Sequence, residues 1–250
     1  MGKSIPLSNG RRAIAAMLEY ARKIPTVPVS RAINVAALAQ ARGGSVDPVS
    51  WTAIFIRAYG IVCKRFPELR RSWISWPYPH LYEHSSSKCA VAVEREWDGE
   101  KIVLMGLIRE PESSSLLKIH NDLLNYKNAE IWSVSSFRAA LRFGSMPKLL
   151  QRFILWNKLD VSGPRRVKHI GTFGISNYGS SGAESLHPIG PQTTVLTLSP
   201  IEPNGAMNAK LVYDHRVLDG SFIARCLLHL DEVLHDVILA ELRQSMRIAA

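Results

Sequence analysis

The sequence predicts one α/β domain over residues 1–250, with helices packed on a mixed sheet. Three observations lead there. Stretches with apolar residues at helical spacing alternate with short β-branched runs. Two pairs of those runs are joined by hairpin signals. No Pro/Gly/Ser-rich linker long enough to divide two domains interrupts the chain, and no internal repeat is found. Of 250 residues, 46% are hydrophobic and 21% charged, enough apolar material for a full core and unlike a disordered chain or a disulfide scaffold.

Each element has its own signal. From Arg11 to Ile24, the residues Ile14, Met17, Leu18 and Ala21 share one helical face, and Pro25 and Pro28 end the helix. Ser30 to Ala39 alternates loosely and reads as a strand, followed by a turn at Gly43-Gly44. Pro48 opens an apolar helix that Pro67 stops, and Trp73 to His84 reads as strand and irregular loop. Cys89 to Val93 and Ile102 to Ile108 form a hairpin through Trp97-Asp98-Gly99, and Ser113 to Lys127 is a helix. Thr193 to Leu198 and Ala209 to Tyr213 form a second hairpin through Pro203-Asn204-Gly205. The last helix, Ser221 to about Arg243, lays Ile223, Cys226, Leu227, Leu230, Leu234, Val237 and Ile238 on one broad stripe.

The segment Phe137 to Leu159 stands apart, because it mixes basic residues with Phe143, Leu149, Leu150, Phe153, Ile154 and Trp156. Gly144-Ser145-Met146-Pro147 splits it into two short helices. Such basic amphipathic pieces can lie on an anionic membrane or grip a partner protein. The favoured expectation is a pair of covering helices whose Arg and Lys face water.

The net charge of +10 invites an anionic partner. Nucleic acid is not expected, since no zinc-finger spacing, RNP motif or basic heptad region is present. No apolar run is long enough to cross a bilayer and the N-terminus lacks a signal core, so a cytoplasmic chain is expected. Cys63, Cys89 and Cys226 are widely spaced among apolar neighbours, which suggests small core residues rather than disulfides or a metal site.

The stretch Leu211-Val212-Tyr213-Asp214-His215-Arg216-Val217-Leu218-Asp219-Gly220 carries the chemistry. A histidine at a strand end can act as a general base. Asp219, four residues on, can pin a turn or fix an arginine, and Gly220 sits where the chain changes direction. Alone, a His/Asp pair at this spacing fits a hydrogen-bonded turn equally well.

The longer string YDHRVLDG, followed by an amphipathic helix, resembles the catalytic signature of the dihydrolipoamide acyltransferase (E2) family of 2-oxo acid dehydrogenase complexes. Upstream, Gly171-Thr172-Phe173-Gly174-Ile175-Ser176-Asn177-Tyr178-Gly179 is similar to that family's GTFTISNLG motif, and Gly190-Pro191-Gln192 to its PPQ element. Ile5 to Ala15 resembles the start of the family's catalytic domain.

The resemblance implies a chloramphenicol acetyltransferase-like two-layer sandwich and acyl transfer between coenzyme A and a thiol such as dihydrolipoamide, or another acceptor. It implies His215 as general base, Ser176 as the oxyanion donor, Asp219 paired with an arginine near the N-terminus, and Asn177 and Gly220 as supporting residues. Arg11 is the candidate for that arginine, and Arg12 its competitor. It also implies a homotrimer or larger core, with His from one subunit and Ser from the next.

The sequence departs from the family in three ways. Neither lipoyl nor subunit-binding domain is found, so a lipoyl-bearing or other carrier is expected to bring the acyl group. Gly174 and Tyr178 replace a hydroxyl residue and a leucine beside Ser176. The Phe137 to Leu159 segment is longer and less charged than its counterpart. A second reading is a catalytically idle core that organises partner proteins, and antibiotic O-acetylation ranks third.

Overall fold

In the computed structural model, which describes residues 2–44 and 48–249, the chain begins with α1 (Asn9–Ala21), β1 (Thr26–Asn34), α2 (Ala36–Gly43) and α3 (Trp51–Arg65). β2 (Arg71–Ile74) and β3 (His80–Glu83) form a small separate hairpin, and β4 (Lys88–Trp97) and β5 (Glu100–Arg109) a long one. Four helices follow: α4 (Leu116–Asn128), α5 (Ser135–Ser145), α6 (Lys148–Leu159) and α7 (Gly163–Ile170). The chain closes through β6 (Phe173–Asn177), β7 (Thr194–Leu198), β8 (Ala206–Asp214), α8 (Gly220–Val233), a π-turn and α9 (Leu239–Ala249).

Six strands make one sheet in the order β1-β8-β7-β6-β4-β5. It is mixed: β6 runs parallel to both β4 and β7, and the other pairs are antiparallel. The β4–β5 turn closes through Asp98 and Gly99, both at positive φ (54° and 73°), the left-handed pair that a two-residue hairpin requires. One face of the sheet presents Cys89, Val91, Phe173, Ile175, Leu196, Leu211 and Tyr213 to a continuous core shared with α2, α3, α4, α5, α8 and α9. Tyr59 of α3 packs edge-on against Phe173 and donates its hydroxyl to Thr194 Oγ1 at 2.9 Å, satisfying the one polar group it buries.

The start of the chain differs from its sequence reading. The strand expected at Ser30 to Ala39 begins earlier and stops at Asn34, and Ala36–Gly43 is helical. Pro28 is compatible with β1 because β1 is an edge strand. Asn34 Oδ1 accepts the Ala36 N–H at 2.9 Å and opens α2, whose Ala, Leu, Gln and Arg are strong helix formers.

The last helix also differs, because the π-turn at Leu234–Ile238 adds a residue to the repeat. Leu234, Ile238 and Leu242 remain buried while Val237 turns out to 42% exposure. The two expected helices within Phe137 to Leu159 form as α5 and α6. The water-facing side of α6 is less polar than expected: Leu149, Phe153 and Trp156 are exposed, and Trp156 meets Trp76 edge-on. Its Lys148 and Arg152 reach back to Glu19 of α1.

Residues of α1, α5 and α6 cover the second face of the sheet at its β4–β5 end, while Phe137 and Leu141 of α5 join the main core. Gly144 fixes the approach of α5 to α1, since a Cβ there would collide with the Asn9 carbonyl oxygen. Leu155, Leu159 and Ile170 form a second buried cluster with Met17 and Tyr20 beneath this roof.

Candidate active site

β8 is buried over Leu211–Asp214 and delivers His215 at its end, where the His215 N–H donates to the Pro25 carbonyl at 2.9 Å. The imidazole Nδ1 lies 3.1 Å from the Leu218 carbonyl oxygen. A carbonyl can only accept, so this contact puts the proton on Nδ1 and leaves the Nε2 lone pair free. Tyr213 stands edge-on to the ring at 5.5 Å. The turn is held from beneath by Asp214, 2% exposed, which accepts from the Arg216 N–H, Nε and Nη2 at 3.0, 2.9 and 2.7 Å. Arg216 in turn lies over the Trp73 ring. Burial and multiple bonds make Asp214 and Arg216 the frame of the histidine loop.

Ser176 lies near the end of β6, half-buried, on the second face of the sheet. Its hydroxyl makes no hydrogen bond among the described residues. Asn177 fixes the turn that follows: its Nδ2 donates to Thr52 Oγ1 at 3.2 Å and its Oδ1 accepts the Gly179 N–H at 2.9 Å. Gly174, two residues before the serine, leaves room for a side chain, as a Cβ there would meet Val195 and Gln192 only at 3.4 and 3.5 Å.

One chain does not bring these two groups together. Ser176 pairs with Thr197, and Thr197 with Lys210, which lies five residues before His215 on β8. Five residues of strand and two interstrand spacings separate them by about 20 Å.

Within one chain Asp219 and Arg11 are also apart, so the expected pairing is not made there. Arg11 opens α1 beside the start of β5, where its Nη2 meets Glu100 at 2.8 Å and the Lys101 carbonyl at 3.3 Å. β5 is one edge of the sheet, whereas Asp219 follows β8 next to the opposite edge. The competitor Arg12 donates to the Met146 carbonyl. Asp219 is the N-cap residue of α8 without a side-chain cap bond, 83% exposed, its Oδ1 3.7 Å from His215 Nδ1. Gly220 needs no special backbone: it is the first residue of α8, is not at positive φ, and a Cβ there would meet only the Tyr213 hydroxyl at 3.3 Å.

Sequence reasoning passed over several residues near Ser176 and near the end of β8. Thr197, across from it, buries a hydroxyl without a partner, and Lys210 forms a largely buried ion pair with Glu184 at 2.9 Å. His187, from the same long loop as Glu184, bonds Thr26 Oγ1 at 2.7 Å beside the end of β8. These contacts depend on sheet register, which a single sequence does not display.

The chain belongs to the family of 2-oxoacid dehydrogenases acyltransferases (catalytic domain), whose model matches residues 2–130 and 167–242. The unmatched segment between them holds α5, α6 and the first turn of α7. Among solved structures, a dihydrolipoamide acetyltransferase of Azotobacter vinelandii superposes with a TM-score of 0.68 at 18% identity, covering 97% of this chain and 94% of that one. A probable dihydrolipoamide acetyltransferase of Listeria monocytogenes gives 0.65 at 20% identity, over 94% and 95%. A truncated catalytic core of the 2-oxoacid dehydrogenase multienzyme complex of Thermoplasma acidophilum gives 0.64 at 20% identity, over 94% and 99%. A comparison with curated protein sequences gives no match. The fold is thus the mixed α/β architecture of these acyltransferase cores, and the sequence resemblance holds at the level of the family.

Proposed function

We propose that this chain is an acyltransferase that moves an acyl group between coenzyme A and a thiol, dihydrolipoamide-like or otherwise, at sites shared by neighbouring subunits of a homotrimer or larger core. The observation that carries the reading is the state of the two groups. His215 has one nitrogen occupied by the Leu218 carbonyl and the other free, and Ser176 has an unengaged hydroxyl on the far side of the sheet. A base and an oxyanion donor about 20 Å apart in one chain can serve one reaction only if a second copy brings them together.

His215 Nε2 would take the proton of the attacking thiol as its sulfur bonds to the thioester carbonyl carbon. Ser176 would donate its hydroxyl to the oxygen that gains negative charge, a bond stronger in the tetrahedral intermediate than in the ground state. Collapse breaks the original carbon–sulfur bond, and His215 returns the proton to the departing thiolate. Asp219, exposed in one chain, is positioned to steady the imidazole from its Nδ1 side.

The acyl group would come from acyl-CoA or from a lipoyl-bearing or other carrier, and the charge of +10 suits the phosphates of coenzyme A. The reading places the protein in the cytoplasm, where its three buried free cysteines would stay reduced. No helix is long and apolar enough to cross a membrane among the described residues.

The test is release of coenzyme A from acetyl-CoA and longer acyl-CoAs with dihydrolipoamide as acceptor. Native protein should release it and His215→Ala should not. No release from folded, assembled protein with any donor would move the reading to the idle core.

A further inference from the structure

The face of the sheet turned away from the core carries Ala92, Val103, Met105 and Leu107, and Val103 and Met105 are 39% and 37% exposed. Apolar side chains grouped on one accessible face mark a binding site more often than a solvated surface. Helices α1, α5 and α6 arch over them, leaving a cavity of about 830 Å³. That is within the range of about 300–1,000 Å³ typical of small-molecule sites. Met17 of α1 and Ala139 and Phe143 of α5 supply its roof, which is therefore built largely from the segment that the family match omits.

One end of the cavity is cationic. Lys88, Arg109, Lys158 and Lys168 all line it, together with His169. Lys88 and Arg109 are register partners on β4 and β5, and Lys88 Nζ donates to the Lys168 carbonyl at 3.0 Å, tying the end of α7 to the strands. Among the described residues, none of these four cations has an acidic partner. Desolvation first, and then the neighbouring cations, push the Lys88 and Lys158 ammonium groups down. The same causes bring His169 down to about 4. Like charges gathered without a counter-charge at the rim of an apolar cavity need an anion from outside the chain.

We infer that this cavity binds a single-chain amphipathic anion, its carboxylate or phosphate head among Lys88, Arg109, Lys158 and Lys168 and its alkyl chain along the second face of the sheet. From Arg109 to Val103, β5 offers about 20 Å of floor, room for a long extended chain. Ser176 and Gly174 line the same cavity, so the inference rests on the acyl-transfer reading of that site and names the class of ligand it takes.

Calorimetric titration of the protein in its native oligomer with hexadecanoate and with hexadecyl phosphate, below their micellar concentrations, tests it. Saturable binding near one molecule per chain is expected, and whichever probe binds more tightly identifies the head group. Ala92→Phe should weaken binding at least about tenfold by occupying the chain site. Lys168→Glu, an exposed substitution, should weaken it and flatten its salt dependence. His215→Ala should leave it unchanged, so coenzyme A release and hexadecanoate binding can fail separately. Absence of saturable binding, as when a second copy fills the cavity, would overturn the inference. So would binding unaltered by both cavity variants, or inorganic pyrophosphate binding as tightly as either probe.

Discussion

The single bond from His215 Nδ1 to the Leu218 carbonyl decides which nitrogen can accept a proton, so the account places the base at Nε2. His215→Gln, which keeps the shape but not the basicity, should lower kcat by about 10²–10⁴-fold in the coenzyme A release assay. Ser176→Ala should cost about 10²–10³-fold in kcat with little change in KM, because an oxyanion donor acts mainly in the transition state. Arg11→Ala should leave kcat unchanged, as its partner in one chain is Glu100, and chemical denaturation should show little loss of stability, as for any exposed ion pair. His84 gives the pH dependence. Burial first, then Arg166 and Arg70, bring its pKa from 6.5 to about 4, and its Nε2 bonds Ser72 Oγ at 3.1 Å. The unfolded chain then binds a proton more readily than the folded one, so this contribution is complete above about pH 6.5 and is lost as pH falls toward 4. Thermal unfolding from pH 7 to 4 should therefore show a shallower acid decline in His84→Gln than in the native protein. At this scale the motif residues were legible because histidine, serine and aspartate announce their chemistry. Their partners were not, because Leu218 acts through its backbone and Glu100 is distant in sequence from Arg11.

Among the elements, the roof over the second face depends most on one contact. Gly144 lets the last turn of α5 rest on the Asn9 carbonyl at the start of α1, and any Cβ must push the helices apart. Gly144→Ala should lower stability by about 1–3 kcal/mol in urea unfolding and should loosen the cavity without touching His215. The hairpins and the paired helices of the 137–159 segment were readable because glycine and proline punctuate them. Helix α2 was not, since its eight residues, Ala, Leu, Gln and Arg with a final Gly43, carry too short a period to outvote the β-branched residues before them. The π-turn between α8 and α9 has no sequence mark at all; it shows only in which residues end up buried.

For the whole molecule, the order β1-β8-β7-β6-β4-β5 places the histidine loop and the serine at opposite ends of β8 and β6, with β7 between them. The three motifs made the family legible before the structure did, because their order along the chain follows that topology. The sequence did not reveal that the family sheet carries an added roof, a cationic mouth and an apolar cavity. Those features arise from residues far apart in the chain that meet only when folded. The central claim is that each reaction site takes His215 from one copy and Ser176 from its neighbour. Co-refolding equal amounts of His215→Ala and Ser176→Ala chains, each inactive alone, tests it most directly by coenzyme A release. Random mixing in a cyclic trimer should give intact pairings at about one quarter of the sites, and so about a quarter of native activity. Mixed assemblies of both chains with no recovered activity would contradict the account.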